Sequence, residues 1–335
     1  MNNSLRIATS LLLICIASLA AVGQRSAEKV EIVPQKGYQA IVMKDSAELR
    51  AVLDGAVKEM LGGYPAGTFK DGELGATIID LTDPSYIKHA AYNGELRLYT
   101  ASVVKMFYMA ALERQLEDGK ITMTPELARG LKDMIVDSSN EATQYILDVL
   151  TGTSSGAELP QKEFDAWQYK RNRVNRYVTA MGYKNINVNQ KTFCEDAYGI
   201  EQQSRNYKGQ NRNMLTTNST ARMMAEIVTG RIAGPAGTVK MFELMKRDPF
   251  AATTDQDDQA HGFTGRMLID RKMTDSRIWS KAGWTSKSRH DAAYIETADG
   301  LKFVIVVFTE NHANDKAPIP TIAGKVLDGL RKIKK

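Results

Sequence analysis

Cysteine and histidine are scarce in this sequence, and their scarcity excludes several kinds of site. The chain of 335 residues has two cysteines and four histidines. No two histidines stand four residues apart, and the cysteines do not have the spacing of a zinc site. Because no phosphate-binding glycine loop is present either, we expect neither a metal nor an organic cofactor. Cys15 lies in an apolar N-terminal run, so after its removal Cys194 alone remains and no intrachain disulfide can form.

An excess of charge of one sign is also small. The 44 Lys and Arg residues against 39 Asp and Glu give a net charge of +5, without the basic stripe of a nucleic-acid-binding protein. We therefore expect no nucleic-acid partner. The densest basic stretch contains Lys170, Arg171, Arg173 and Arg176, and we expect it to form the solvated face of an amphipathic helix. The composition, 43% hydrophobic with 25 Gly and 9 Pro, is typical of a globular protein and excludes collagen-like or wholly disordered chains.

The longest apolar run lies near the N-terminus. One basic residue, Arg6, precedes an uncharged stretch from Ile7 to Val22, which is followed by the small residue Gly23. This pattern is typical of a secretory signal peptide, and it is shorter than the about 20 residues of a comfortable membrane span. We expect cleavage near residues 21–23 and export to the periplasm or out of the cell, with no stable membrane span afterwards. An uncleaved anchor is the alternative.

Strand patterns lie near both ends of the remaining chain, and helical patterns lie between them. Short apolar or alternating segments predict strands at Leu74–Leu81, Ile278–Ala282, Asp291–Thr297 and Leu301–Thr309. Periodic segments predict helices over about residues 45–62, 102–116, 124–136, 140–150, 161–181, 217–229, 239–246 and 319–333. This order predicts an α/β (α+β) fold, in which helices flank an antiparallel sheet built from both chain ends and an all-helical subdomain is inserted.

The expected domain organisation follows from these patterns. Residues 1–23 are the signal peptide, 24–37 a polar leader and 38–335 a single domain, with a sheet part (38–100 and 265–335) and a helical part (101–264). Between Gly182 and Met214 the sequence is polar and has no clear period, which predicts a functional or mobile segment. We expect the domain to be a monomer.

One of three S-x-x-K patterns stands in a context that suits a nucleophile. Ser26 lies in the polar leader and Ser85 in a proline-containing turn, whereas Ser102 opens an apolar helix with Lys105 one turn on. Residues i and i+3 share a helix face, and burial lowers the pKa of a lysine, so neutral Lys105 would take the Ser102 proton. The helix N-terminus would supply N–H groups for an oxyanion. The alternative is a serine N-cap beside a lysine that reaches solvent.

Two other patterns resemble nucleophilic sites less closely. Residues 152–156, GTSSG, match G-x-S-x-G with Ser154 at the centre, but a predicted helix precedes them where the motif needs a strand, so we expect a loop. His290 and Asp291 would belong to a Ser-His-Asp system, but neighbours on a strand point to opposite faces. We expect a surface turn there.

Two further motifs complete a possible acyl-transfer site. An S-x-N motif at residues 138–140 falls between two predicted helices, and a K-x-G motif at residues 281–283 lies on a predicted strand, where Gly283 lets a substrate backbone approach. A second S-x-N at residues 204–206 lies in the aperiodic region, so we favour Ser138. Each motif alone also has a structural explanation. Ser138 would be a helix cap, and Lys281 would be a solvated lysine on a strand.

With these motifs in this order, the sequence resembles the class A β-lactamase and penicillin-binding-protein superfamily from about Tyr38 to Asn311. The matching stretches are YTASVVKM at 99–106, MIVDSSNEA at 134–142, TTNSTARM at 216–223, TGRMLI at 264–269 and WSKAG at 279–283. The resemblance implies a β-lactamase/transpeptidase-like fold and an acyl-enzyme mechanism.

The resemblance also implies a role for particular residues. Five side chains would share the chemistry: the nucleophile Ser102, its base Lys105, the proton shuttle Ser138, the substrate-amide contact Asn140 and the carboxylate anchor Lys281. The N–H groups of Ser102 and Trp284 would form the oxyanion hole.

The sequence departs from the family pattern at positions that affect the substrate. Ser139 stands where family members have an acid, and Ala282 stands where they have a hydroxyl residue that donates to a substrate carboxylate. Thr285 or Ser286 would substitute for that hydroxyl.

A third departure concerns the release of the acyl group. The sequence has no E-x-x-L-N, the motif whose glutamate activates the deacylating water in class A enzymes. Glu195 is the best positional candidate for this base and Glu201 the next. Three hypotheses follow: a serine β-lactamase that confers antibiotic resistance, a penicillin-binding-type DD-peptidase or amidohydrolase acting on a cell-wall peptide, and a non-catalytic β-lactam or cell-wall sensor.

Overall fold

Most of the helices and strands occur where local signals in the sequence predict them. The computed structural model describes residues 30–334, so the expected signal peptide lies outside the described residues. The helices are α1 (Ala47–Gly62), α2 (Lys105–Glu117), α3 (Pro125–Ile135), α4 (Asn140–Thr151), α5 (Gln161–Arg171), α6 (Arg173–Ala180), α7 (Ile200–Arg205), α8 (Thr217–Val228), α9 (Pro235–Met245), α10 (Gly265–Asp270) and α11 (Pro318–Lys334). The strands are β1 (Lys44–Asp45), β2 (Leu74–Asp80), β3 (Lys88–Tyr92), β4 (Leu98–Tyr99), β5 (Met214–Leu215), β6 (Lys246–Arg247), β7 (Arg277–Trp284), β8 (Ser288–Glu296) and β9 (Lys302–Glu310). Within 30–334 no helix is both long and apolar enough to cross a membrane.

Strands from both halves of the chain form one sheet. Its order is β1-β3-β2-β9-β8-β7-β6, and every neighbouring pair is antiparallel except β1 with β3. The pairing of β2 with β9 joins the two ends of the chain, from Leu74 opposite Thr309 to Asp80 opposite Phe303. The predicted fold class, a sheet of both chain ends with helices around it, is confirmed.

Both faces of the sheet are buried, which explains the continuous apolar run in β9. Val304, Val306 and Phe308 pack with α2 and the helical part, and the alternate residues of β9 pack with α1 and α11 on the other face. Successive side chains of a strand point to opposite faces, so a strand covered on both sides needs apolar residues at every position. From Glu31 onward the chain forms one compact unit.

Several boundaries differ from the sequence predictions. The first helix begins after Ser46, whose hydroxyl accepts from the Leu49 N–H at 3.2 Å, and Asp45 belongs to β1 instead. The single helix predicted over 161–181 is two helices that meet at Asn172. The short elements β6 and α10 were not predicted, because two and six residues carry too little periodicity to detect.

The expected solvated face between Lys170 and Arg176 is wrong for two of its arginines. Arg171 is fully buried and pairs with Glu201 through Nη1 at 2.7 Å and Nη2 at 2.8 Å. Arg176 is also buried and pairs with Glu31. Lys170 is exposed. Charge periodicity alone does not distinguish an arginine that faces water from one that faces a carboxylate inside the protein.

Side-chain amides organise the aperiodic segment between residues 182 and 214. The Asn213 carboxamide oxygen accepts from the backbone N–H groups of Asn189 at 3.1 Å and Gln190 at 2.9 Å. Asn189 in turn donates to the side chains of Asn172 and Asn211, both at 3.0 Å. Because these bonds replace a regular backbone ladder, the segment shows neither a helical nor a strand period.

Candidate active site

Ser102 lies in a tight turn at the entrance of α2. The turn is a 3-10 helix, Ala101–Val104, that leads directly into Lys105. Ala101 has a φ of 45°, a left-handed conformation that non-glycine residues rarely adopt and that often marks a functional site. Ser102 is partly exposed and lines a cavity of about 450 Å³. Its hydroxyl has no hydrogen-bond partner among the described residues.

His290 is hydrogen-bonded to the backbone just before this turn. Its Nδ1 accepts from the Thr309 N–H at 3.1 Å, so Nε2 carries the proton and donates to the carbonyl of Tyr99 at 2.8 Å. Complete burial lowers the pKa of His290 to about 4, which keeps the ring neutral. Both ring nitrogens are therefore hydrogen-bonded to backbone groups. The expectation of a surface turn at His290 and Asp291 is wrong, because both residues are buried on β8.

Gly283 allows β7 to lie directly against the serine turn. A Cβ added there would lie 2.9 Å from the Ser102 nitrogen and 2.9 Å from the Thr100 carbonyl oxygen. These are backbone atoms, so a larger residue would push the strand and the turn apart. The close contact explains the glycine of the K-x-G motif in this chain.

The two serines of the S-x-N motif have separate tasks. Ser139 is the N-cap of α4, and its hydroxyl accepts from the Ala142 N–H at 3.0 Å. Ser138 has a φ of 58°, and its hydroxyl turns instead toward two lysines. Lys281 Nζ lies 2.9 Å from Ser138 Oγ, and Lys105 Nζ lies 3.3 Å from it. The alternative role of Ser138 as a helix cap is therefore wrong, because Ser139 caps the helix.

Lys105 is fully buried among oxygen acceptors. Its amine donates to the Ser138 carbonyl and to Asn140 Oδ1, the latter at 2.9 Å. Burial lowers the pKa of the Lys105 amine to about 7, while the nearby side chains of Glu141 and Cys194 partly oppose this shift. A lysine with such a pKa is partly neutral at neutral pH and can accept a proton.

Lys281 is also fully buried. Its amine donates to Ser138 Oγ at 2.9 Å, to Gln259 Oε1 at 2.6 Å and to the Ala282 carbonyl at 2.7 Å. Burial, and then the charges of Lys105 and Arg247, hold its pKa well below the ordinary value of a lysine. The solvated strand lysine that the isolated motif suggested is absent.

The N–H of Trp284 points toward the cavity side of β7. The Thr285 N–H closes the β7–β8 turn by donating to Ser288 O at 2.9 Å, so the next pair, Trp284 with Arg289, is not hydrogen-bonded. Ala282, two residues earlier, directs its N–H to the same side. The Ser102 N–H is also free among the described residues. Two free N–H groups on this side fit an oxyanion hole.

The candidates for deacylation do not join the cluster. Glu195 is exposed and has no hydrogen bond or ion pair within residues 30–334. Its neighbour Cys194 is closer to the cluster, with Sγ 3.4 Å from Asn140 Nδ2. Glu201 is buried in the pair with Arg171, where burial tends to raise its pKa but the charge of Arg171 lowers it overall. Neither glutamate lines the cavity that contains Ser102.

The remaining sequence candidates lie apart from the cluster or have other partners. The Thr285 hydroxyl accepts from the N–H groups of Lys287 and Ser288, at 3.1 and 3.0 Å, and stabilises the turn. Thr285 and Ser286 do not line the cavity, whereas Trp284 does and is 54% exposed. Ser154 lies in the coil that follows α4, as expected for a loop.

Gln259 is the site residue that the sequence analysis missed. It lies in the loop between β6 and α10, and its carboxamide contacts both Lys281 and the backbone of Ala282. Asp137, Asp255, Asp257 and Asp258 line the same cavity. No short motif marks a loop glutamine, so only the match of TGRMLI, which begins five residues later, pointed to this region.

The sequence matches the profile of the beta-lactamase enzyme family over residues 56–129 and 123–328. The chain belongs to the β-lactamase enzyme family. No curated protein matches the sequence significantly.

Solved structures of β-lactamases and of PBP-A share the fold. A β-lactamase from Sphaerobacter thermophilus DSM 20745 is 19% identical, with a TM-score of 0.57 over 84% of this chain and 97% of that chain. The extended-spectrum β-lactamase TLA-1 is 15% identical, with a TM-score of 0.61 over 84% and 99%. A PBP-A mutant in an acyl-enzyme complex with penicillin G is 16% identical, with a TM-score of 0.58 over 87% and 99%. At these identities the likeness shows the fold alone.

Proposed function

We propose that this β-lactamase-family protein is an exported serine hydrolase that opens a β-lactam or a related amide through an acyl-enzyme on Ser102. The observation that carries the proposal is the pair of buried lysines on one hydroxyl. Lys105 and Lys281 lie 3.3 and 2.9 Å from Ser138 Oγ, and Ser138 shares its cavity with Ser102. This arrangement can accept a proton from one side of the reaction and return it to the other.

We infer the following reaction for this site. Neutral Lys105 removes the proton of the Ser102 hydroxyl as Oγ attacks the amide carbonyl. The oxygen of the tetrahedral intermediate accepts hydrogen bonds from the N–H groups of Ser102 and Trp284. The C–N bond breaks, and the leaving nitrogen takes a proton through the Ser138 hydroxyl, which Lys105 resupplies. Water then cleaves the ester, releases the acid and restores Ser102.

The placement of Glu195 favours a second candidate function for the same acyl-enzyme. No carboxylate among the described residues is hydrogen-bonded to Ser102, Lys105 or Ser138, and Glu195 is exposed. Without a base for water, the ester on Ser102 lasts longer. A penicillin-binding-type peptidase, or a sensor that keeps its acyl group, would have this property. The PBP-A relative captured with penicillin G shares the fold.

Intact-protein mass spectrometry during incubation with an acyl donor tests both candidates. We expect an adduct with the mass of the donor on the unmodified protein and none on Ser102→Ala, with circular dichroism showing that the variant is folded. A rapid return to the free mass identifies a hydrolase, and a persistent adduct identifies the slow-releasing candidate. An equal adduct on Ser102→Ala, or its mapping to Ser154, would refute the assignment of the nucleophile.

Replacement of Glu195 by glutamine is expected to leave deacylation nearly unchanged. Because the side chain is exposed and has no partner in the described part of the chain, its substitution should change the rate by no more than about twofold, as for an ordinary surface change. Quench-flow kinetics would compare it with Asp196→Asn, an exposed acid beside it. A preserved acylation burst followed by collapsed turnover in Glu195→Gln alone would show instead that Glu195 is the base.

A further inference from the structure

The Gln259 carboxamide joins the two sides of the cavity behind Ser138. Its Oε1 accepts from Lys281 Nζ at 2.6 Å and from the Ala282 N–H at 3.2 Å. Its Nε2 donates to the carbonyls of Ile135 at 3.1 Å and Val136 at 2.7 Å. The Ala282 N–H only donates and the two carbonyls only accept, so these three partners fix one orientation of the amide, and its oxygen then faces Lys281.

This amide occupies the donors that a substrate carboxylate would need. Lys281 has three N–H donors when protonated, and all three point to protein acceptors: Ser138, Gln259 and its neighbour Ala282. Lys281 is also fully buried and does not line the cavity. Ala282 contributes only its N–H, which Gln259 already occupies, because its side chain has no hydroxyl. No donor of the K-x-G motif therefore remains free on this side of the site.

The charge of the cavity wall also disfavours a substrate carboxylate. Among the described residues that line the cavity, four are aspartates and none is Lys or Arg. Asp257 is neutralised by Arg289 and Lys316, but Asp137 and Asp255 are exposed and have no ion pair within 30–334. A carboxylate placed here would be repelled, and an ammonium group would be attracted.

We propose that Gln259 replaces the substrate carboxylate as the partner of Lys281, and that the substrate is an amide whose group beside Gln259 is a cation. This inference rests on the proposed acyl-enzyme function and departs from the role of carboxylate anchor that family resemblance assigns to Lys281. Gln259 is then a specificity-determining residue, and Asp137 and Asp255 attract the cation.

Three forms of one penicillin test the inference with the full-length protein. Benzylpenicillin carries the carboxylate, its 3,3-dimethylbutyl ester is neutral, and its 2-(trimethylammonio)ethyl ester is a cation of the same shape as the neutral ester. We expect Ser102 to be acylated fastest by the cation and slowest by the free acid, with at least about a tenfold difference between them. Added salt should reduce the advantage of the cation over its neutral isostere.

Opposite substitutions of Gln259 test its part in this preference. Gln259→Ala frees Lys281 and the Ala282 N–H, so the rate ratio of free acid to neutral ester should rise at least about tenfold. Gln259→Glu places a negative charge beside Lys281, so the same ratio should fall. The matched control is Gln256→Ala, an exposed glutamine of the same loop that lines a different cavity, and its ratio should equal that of the unmodified protein.

The acidic residues require a separate pair of variants. In Asp137→Asn combined with Asp255→Asn, the rate ratio of cationic to neutral ester should fall toward one. Asp275→Asn, which removes an exposed acid outside the cavity lining, should leave that ratio unchanged.

The outcomes separate this inference from the function on which it rests. If the free acid acylates Ser102 at least as fast as the cationic ester, or if both Gln259 variants keep the ratio of the unmodified protein, the inference is refuted and the acyl-enzyme function stands. If neither the penicillins nor any other acyl donor labels Ser102, the function itself fails.

Discussion

Replacing Lys105 by methionine or arginine is expected to slow the acylation of Ser102 at least about a hundredfold, the usual effect of losing a general base. Methionine has no proton acceptor, and arginine stays protonated at every pH of interest. The native amine is suited to the task because burial lowers its pKa to about 7. The measurement is the rate of adduct formation with the donor that labels the unmodified protein fastest. Lys132→Met, an exposed lysine on α3, is the control.

The pH dependence of acylation is a second test of Lys105 as the base. Since only the neutral amine accepts a proton, the acylation rate of the unmodified protein should rise with pH through about 7. Stability should change in the same direction: between about 7 and the ordinary lysine value of 10.5 the unfolded chain binds the extra proton, so this group's contribution to the free energy of unfolding grows as the pH rises. An unshifted acylation profile in Lys105→Met would mean that another group takes the Ser102 proton.

Replacing Arg171 by methionine is expected to lower the free energy of unfolding by about 3–5 kcal/mol, as for a buried ion pair that loses one partner. Arg171 donates to both oxygens of Glu201, to Thr153 at 2.9 Å and to Asp148 at 3.3 Å. Without it, Glu201 keeps a buried negative charge that Lys191, at 3.3 Å, balances in part. Urea denaturation followed by circular dichroism measures the change.

Lys170→Met is the matched control for Arg171, because it removes a positive charge from the neighbouring position of the same helix without touching the pair. Lys170 is exposed, so its loss should change the unfolding free energy by no more than about 0.5 kcal/mol. The further variant Arg171→Met with Glu201→Leu should recover much of the lost stability, since it removes both charges. Equal effects of the two single variants would show that the buried pair contributes no specific stability.

The position of Ser102 and Lys105 at the start of α2 could be predicted from the sequence because the signal is local, whereas their chemical roles stay a prediction. Ser102 and Lys105 are three residues apart in one helical turn, and spacing of that kind predicts a shared face. The motifs at Ser138 and Lys281 were found by their order along the chain, and the structure brings both side chains within 2.9 Å of each other. Local signals also predicted that Ser138 precedes a helix and that Lys281 lies on a strand.

Gln259 could not be predicted, because its partners are remote in sequence. It contacts Ile135, 124 positions earlier, and Lys281, 22 positions later. A loop of aspartates and glutamines has no period, and its contacts depend on where β6 and α10 place the loop. The same reason applies to Arg171, whose partner Glu201 lies 30 positions away: a basic helix face gives no sign of an acid that packs over it.

Gly283 and His290 have contacts that the sequence predicts only in part. Gly283 was predicted to admit a substrate backbone, whereas in the structure the first backbone it admits is that of Thr100 and Ser102. His290 was expected at a surface turn, yet its side chain is fully buried on β8. In both cases the deciding contact is with the backbone of residues 99–102, more than 180 positions earlier in the sequence.

The pairing of β2 with β9 also has a consequence for how the chain acquires its structure. Leu74 pairs with Thr309, so the centre of the sheet forms only after almost the whole polypeptide is available, and closing so long a loop costs chain entropy. Such topologies fold slowly. Helices α2, α3 and α4 are near neighbours in the chain and need no such delay. During folding, the apolar faces of α1 and β2 therefore remain uncovered until the last strands arrive, and this is the stage most exposed to aggregation.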